Sequence, residues 1–418
     1  MIGIIGGGIS GLTLSHALEQ AGREHILLEA SSRVGGVIRS RSLAGTVVDY
    51  GPQRTRVSQG VQEVVDFAGL SEEVITVPAH LPLYVYRGSR LRSVPFSLPD
   101  LIRSDVLSWA GKFRVFLEPL TRPVRPDDTV GGLLARKFGK EAYNTILGPL
   151  FGGLYGSDPR QMFVRHALTS LLDERATRES LLAPFLKGAF NRRKAPPAIS
   201  FQDGMEALPR RLGQRLAHRI RLGTCVSSLE STGEGWQLNT AQGDVAVDQV
   251  VITCEAAATA QLLGPHSPGA AERLERLVYN DLVVVHLKGE QNLHGLGYQV
   301  SYGEALRTRG VTWNASALAR PGLYTAFLGG ARDREALSLD DGYLGELAAR
   351  EFRQATGVKA TVVEVSRTRV PSWDRSWAAL DGLVVPPRIH LLTNFMSRVG
   401  IPGRVAAARA LATELTTP

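Results

Sequence analysis

Cysteine is scarce in this 418-residue chain: there are two, Cys225 and Cys254. Two cannot build a disulfide framework, so a reducing compartment is expected, and with it a cytoplasmic location. No apolar run reaches the ~18 residues that crossing a bilayer requires. The nine histidines lack ligand spacing, so no metal site is expected. A strand pattern begins at once after Met1, which leaves no room for a signal peptide. Internal repeats and low-complexity tracts are absent as well. Positive charge is in excess, at +8 net with a pI near 9.6. Its arginines are dispersed and no basic run is interleaved with aromatics, so nucleic acid is not expected as a partner. A solvated basic surface accounts for the excess, and an anionic substrate is the next reading. Hydrophobic residues make up 44% and charged residues 21%, as in ordinary globular proteins. The length calls for two or three domains with sizeable cores.

What is present is concentrated in the first fifty residues. Gly3-Ile4-Ile5 is a short β-branched run leading into Gly6-Gly7-Gly8-Ile9-Ser10-Gly11. Leu12, Leu14, Ala17, Leu18 and Ala21 then recur at helical spacing before Gly22, and His25-Ile26-Leu27-Leu28 reads as a second strand ending on Glu29. This strand–glycine turn–helix–strand order predicts a dinucleotide-binding βαβ unit. Gly6 serves the tight turn, Gly8 the approach of the backbone to a pyrophosphate, and Gly11 the close packing of helix on strand. The helix N-terminus offers N–H groups to the phosphates. Glu29, 23 positions after Gly6, stands where an acid accepts hydrogen bonds from a ribose diol, and its charge disfavours a 2′-phosphate.

Farther on, the pattern predicts a helix over 61–70, a strand over 81–86 with a turn at Arg87-Gly88, and helices from 127 to about 190. Residues 95–120 mix apolar and basic side chains. They read either as one amphipathic face buried in its own domain or as a surface lying on a membrane. Asn191 to Pro197 is a charged, proline-rich stretch and the best domain boundary. Strands are expected over 220–226, 236–238, 245–247, 249–253, 281–287, 361–366 and 389–394, with helices over 342–354 and 404–415. Pro402 suits a helix's first turn. That terminal helix is either packing alone or a second cofactor-facing N-terminus.

Glu29-Ala30-Ser31-Ser32-Arg33-Val34-Gly35-Gly36 resembles the flavin amine oxidase superfamily. Together with Gly51-Pro52-Gln53, Leu83-Tyr84-Val85, Gly153-Leu154-Tyr155-Gly156-Ser157-Asp158-Pro159, Phe201 with Gly204-Met205, and Val399-Gly400-Ile401-Pro402, it is similar to that superfamily's protoporphyrinogen oxidase branch. The resemblance implies an α/β fold with an FAD-binding Rossmann-like domain of discontinuous segments (1–80, 198–280 and 386–418). A sheet-based substrate domain (81–95 and 281–385) and a helical insert that can touch membranes (96–197) complete it. It implies non-covalent FAD, a tetrapyrrole substrate and molecular oxygen as acceptor. Gly6, Gly8, Ile9, Ser10, Gly11, Glu29 and Ala30 would hold pyrophosphate and ribose. Arg33, Gly36, Val37, Gly51, Pro52 and Gln53 would approach the diphosphate and ring, and Val226 the adenine. Val399, Gly400 and Ile401 would present N–H groups to the ring's pyrimidine edge. Gly153 would line the substrate cavity, and Trp313 is either a stacking partner of a pyrrole ring or ordinary core.

Two departures from the branch stand out. Where some relatives carry an arginine that pairs with a substrate propionate, this chain has Leu81, and the segment 371–388 is short. No acid–base pair is identifiable, which leaves proton removal to solvent or a backbone carbonyl. Within the superfamily the rival is an amine oxidase, which commonly places a lysine on the strand matching 281–287. That strand reads Leu-Val-Val-Val here, with Lys288 only at its end. A carotenoid-type desaturase shares the N-terminal motif, and a flavin-binding protein without turnover is the reading from another class. The sequence does not separate protoporphyrinogen from coproporphyrinogen.

Overall fold

A computed structural model describes residues 1–43, 45–168, 172, 179–182 and 196–417. The expected helical continuation toward residue 190, and the proline-rich boundary as far as residue 195, lie outside the described residues. At the centre of the nucleotide-binding half is a five-stranded parallel sheet. Its order is Ile220–Arg221, His25–Leu28, Ile2–Ile5, Gln249–Ile252 and Ile389–Leu391. A parallel sheet is covered on both faces, and alternation along each strand shows how. Ile2, Ile4, Leu27 and Val251 face helices Ile9–Gln20, Gln59–Ala68 and Ile401–Thr416. Ile5, Leu28, Val250 and Ile252 face an antiparallel meander (Val226–Ser231, Trp236–Thr240, Val245–Val247) and the helices Ala256–Leu263 and Pro268–Glu275.

The second large sheet has seven strands in the order Ala360–Pro371, Tyr279–Gly289, Leu323–Gly329, Gly310–Trp313, Gly297–Val300, Leu83–Arg87 and Arg90–Ser93. One face packs Val283, Val285, Leu287, Tyr324 and Ala326 with Leu344, Leu347 and Phe352 of helix Asp341–Thr356. Cross-strand partners share a face. The pairs His286–Thr325, Val284–Phe327, Thr325–Thr312 and Gln299–Gly310 therefore place these residues on the opposite face.

Several expectations are corrected. The strand expected over 220–226 is two short strands, because the chain turns at Gly223 with φ +64°. Leu81 precedes its strand, and the terminal helix starts at Ile401 rather than Arg404. The 95–120 stretch does not bury its large apolar residues together. Leu101, Val106, Leu107 and Val115 are buried, whereas Ile102, Trp109, Phe113, Phe116 and Leu120 are exposed. Near its end the stretch contributes Glu118 to a fully buried ion pair with Lys137 at 3.1 Å.

Candidate active site

The glycine turn is shaped by contact distances. A Cβ on Gly11 would lie 2.1 Å from the Gly6 carbonyl oxygen, and one on Gly6 would lie 2.5 Å from Thr253 Oγ1. A Cβ on Gly8 would meet nothing within 4 Å. Gly8 is the N-cap of helix Ile9–Gln20 and no side chain caps it, so the first-turn N–H groups of Ile9, Ser10 and Gly11 have no side-chain acceptor. The terminal helix is similar: its N-cap is Gly400, with φ +89° and again no capping side chain. Helices beginning after Ser58, Ser97, Ser108, Thr129 and Asp340 are instead capped by those residues. Uncapped glycine N-termini of longer helices such as these are suited to anionic or polar ligand atoms.

Around this turn the structure gathers most of the residues singled out in the sequence. Gly7 N–H donates to Glu29 Oε2 at 2.6 Å, and Ser31 donates to Oε1 from its N–H and hydroxyl. Gly35 N–H donates to Gly7 O at 2.8 Å, which sets Gly36 against Gly8. Arg33 donates to Gly36 O at 2.7 Å. A Cβ on Gly51 would lie 2.2 Å from Val37 O. Thr224 N–H donates to Glu29 O, two residues before the buried Val226, and Ala30 is exposed beside Glu29. Gln53 Nε2 and Thr393 Oγ1 are buried without a partner among the described residues. The glycine cradle, the uncapped N–H groups and these unpartnered polar atoms fit a dinucleotide-type flavin. Cys254 is not suited to covalent chemistry there, since burial pushes its thiol up to about 12.

The link between this cradle and the large sheet left no signal in the sequence. Asp49 Oδ2 accepts from Arg320 at 2.5 Å, with the two side chains 0% and 5% exposed. Asp49 Oδ1 accepts from Ser40 Oγ and Met205 N–H. The Tyr50 hydroxyl donates to Glu364, and its ring meets His286 edge-on at 6.0 Å. Burial, reinforced by the Arg320 charge, pushes His286 down to about 4, so it is a neutral imidazole.

On the same sheet face, Gly153 lies on helix Gly148–Tyr155, where its Cβ would come 2.6 Å from Gln299 Oε1. The motif that follows is hooked to the sheet: Asn280 Nδ2 donates to Ser157 Oγ at 2.8 Å, and Ser157 donates to Ser372 O. Neither Asn280 nor Gln299 stood out in the sequence, because an isolated amide in a strand carries no pattern. Lys288 donates to Pro321 O at 2.8 Å at the end of its strand. Trp313 is not brought to this group. It is 3% exposed on the opposite face, with Tyr84 at 5.2 Å between ring centroids, and so takes the core role of its two expected readings. The strand alternation that decides this is visible only once the register is known.

The sequence pattern described as flavin containing amine oxidoreductase matches residues 9–409. Protoporphyrinogen oxidase 1, chloroplastic, from Arabidopsis thaliana is 28% identical over 393 residues, covering 84% of this chain and 73% of the relative. Protoporphyrinogen oxidase from Homo sapiens is 29% identical over 372 residues, covering 78% and 77%. Among solved structures, a candidate protoporphyrinogen oxidase from Exiguobacterium sp. 255-15 superposes with a TM-score of 0.81 at 21% identity, covering 99% and 98%. A putrescine oxidase mutant superposes with a TM-score of 0.72 at 14% identity over the same shares, which shows the shared fold. With a match across nearly its whole length, the chain belongs to the flavin-containing amine oxidoreductase family and is an oxidoreductase of that family.

Proposed function

We propose that this chain is an FAD-dependent porphyrinogen oxidase, taking protoporphyrinogen IX to protoporphyrin IX in haem biosynthesis with molecular oxygen as acceptor. The observation that carries the reading is the likeness to proteins named protoporphyrinogen oxidase over most of the chain. The hooked Gly153–Pro159 segment on the sheet face opposite the core is the structural feature that supports it. In this reading residues 1–80, 198–280 and 386–418 form the FAD domain, 81–95 and 281–385 the substrate domain, and 96–197 the helical domain.

Bound non-covalently, FAD supplies a two-electron acceptor that oxygen regenerates with release of peroxide. Three such rounds remove the six electrons that separate the porphyrinogen from the porphyrin. The N–H groups of Ile9, Ser10 and Gly11 hold the pyrophosphate, and Glu29 with Ala30 orients the ribose. Arg33, Gly36, Val37, Gly51, Pro52 and Gln53 border the diphosphate and the ring, Val226 borders the adenine, and Val399 to Ile401 present N–H groups to the pyrimidine edge. Gly153, whose missing side chain lets its helix approach Gln299 closely, borders the tetrapyrrole. Neutral His286 offers no charge to the reacting carbon, and Lys288, on the same face at the strand's end, is engaged by the Pro321 carbonyl. The chain's contribution is orientation and exclusion of water rather than acid–base chemistry.

Peripheral membrane contact belongs to the same reading. Trp109, Phe113, Phe116 and Leu120 recur at helical spacing and are exposed, with Lys112 over the Trp109 ring at 4.2 Å. No helix among the described residues is long and apolar enough to cross a membrane.

Anaerobic addition of protoporphyrinogen or coproporphyrinogen III tests the reaction, read as bleaching near ~450 nm and then recovery in air with peroxide and porphyrin fluorescence. Comparing rates on the two substrates decides between them. A flavin left oxidised by both, yet bleached by a polyamine or monoamine, overturns the reading.

A further inference from the structure

Arg404 occupies the first turn of the terminal helix, just after the Val399–Ile401 segment. Its Nη1 donates to Thr393 O at 3.2 Å, to Ser397 O at 3.0 Å and to the Ser397 hydroxyl. All three acceptors are neutral. No carboxylate among the described residues lies within ion-pair distance, and burial pulls its pKa down to about 10, so the group remains a cation at neutral pH. A half-buried cation without a counter-charge carries a desolvation cost, and its field reaches the groups around it.

The turn that Arg404 holds is tied down from other sides too. Tyr279 OH donates to Asn394 Oδ1 at 2.9 Å, and Trp377 Nε1 donates to Phe395 O at 3.1 Å. A Cβ on Gly403 would lie 2.1 Å from Arg398 O, which packs the helix start against the same turn. The guanidinium is therefore held in a fixed place on the 393–397 turn that leads into the segment, inside a partly dehydrated region where a charge acts over longer range than in water.

We propose that Arg404 is an electrostatic positioning residue. Its uncompensated charge lies behind the pyrimidine edge of the flavin, favours the reduced, more electron-rich ring and so raises the midpoint potential. This rests on the reading that Val399 to Ile401 face that edge.

Two substitutions separate charge from scaffolding. R404Q keeps a hydrogen-bond donor and removes the charge; R404K keeps the charge. Both are purified with flavin and titrated anaerobically against a dye of known potential. R404Q is expected to retain flavin while its two-electron equilibrium with the dye shifts ~tenfold toward the oxidised ring, about 30 mV. R404K is expected to stay close to the unsubstituted protein. An unchanged potential in R404Q, equal shifts in both variants, or a colourless R404Q each overturns the proposal. I401P tests the underlying placement, since it deletes one N–H at a first helical position where proline fits. Weakened flavin retention in I401P beside an unshifted R404Q overturns the Arg404 role alone. Undiminished retention in I401P, read from flavin fluorescence and checked by the melting of the flavin-free protein, overturns the placement itself.

Discussion

Individual glycines in the nucleotide turn differ in what a side chain would strike. Gly8 opens onto space, so Gly8→Val is expected to fold with the melting temperature of the flavin-free protein and purify colourless; full flavin occupancy would contradict the pyrophosphate placement. Gly11 faces the Gly6 carbonyl at a distance no Cβ tolerates. Gly11→Ala is expected to cost about 1–3 kcal/mol, measured by urea denaturation. The Asp49–Arg320 pair is a different kind of dependence. Arg320→Met strands a buried carboxylate and is expected to lower stability by about 3–5 kcal/mol, whereas replacing both partners with apolar residues should recover much of the loss. His286 gives a signed pH dependence. Its folded pKa, near 4, lies below the ordinary 6.5, so the unfolded chain binds the proton more readily in that interval. The stabilisation is complete above pH 6.5 and is lost as pH falls toward 4, amounting to about 3 kcal/mol. His286→Asn is expected to flatten the fall in urea midpoint between pH ~6.5 and ~5; an unaltered slope would remove His286 from the account.

At the scale of elements, the motif 153–159 works because a helix and a strand are joined by side chains far apart in sequence. Gly153 touches Gln299, and Ser157 is bonded by Asn280 and to Ser372 O. Gly153→Leu is expected to retain flavin and lose porphyrinogen turnover by at least ~tenfold, the scale of a ~1.4 kcal/mol barrier change. Equal turnover would place the substrate elsewhere. Helix Trp109–Phe116 carries the opposite message, since Val115 is buried while Trp109, Phe113 and Phe116 stay exposed. With basic residues alongside, Phe113→Asp is expected to reduce co-sedimentation with anionic vesicles by roughly tenfold, in keeping with the transfer energy of one ring. Sedimentation that the substitution leaves unchanged would show that this helix does not touch lipid.

Across the whole molecule, the central parallel sheet takes its strands from residues 2–28, 220–252 and 389–391, so distant parts of the chain must arrive before it is complete. The turn after Gly6 and the turn before Ile401 are brought to one end of the fold by that crossing. The Gly60 backbone, beside the segment that carries Gln53, meets Val405 and Arg409 of the terminal helix. Flavin binding between them should therefore stabilise the assembly as a unit, by about 2.7 kcal/mol at a hundredfold excess over Kd. Melting of the protein with and without added FAD measures this, and identical transitions would deny that the two turns share one ligand.

The sequence by itself determined the local elements whose signal is short-ranged. The β-branched run before Gly6, the 3.6-residue spacing after it and the acid ending the next strand were all legible, because backbone sterics and strand burial act over a few residues. The joining of strand Leu83–Arg87 to Gly297–Val300, the 49–320 ion pair and the hooking of Ser157 were not, since each depends on partners separated by more than a hundred residues. Trp313 shows the difference most plainly. Its presence on a strand could be read, but side chains alternate faces with period two, so only the tertiary pairing to Tyr324 decided that the indole lies in the core rather than beside Gly153.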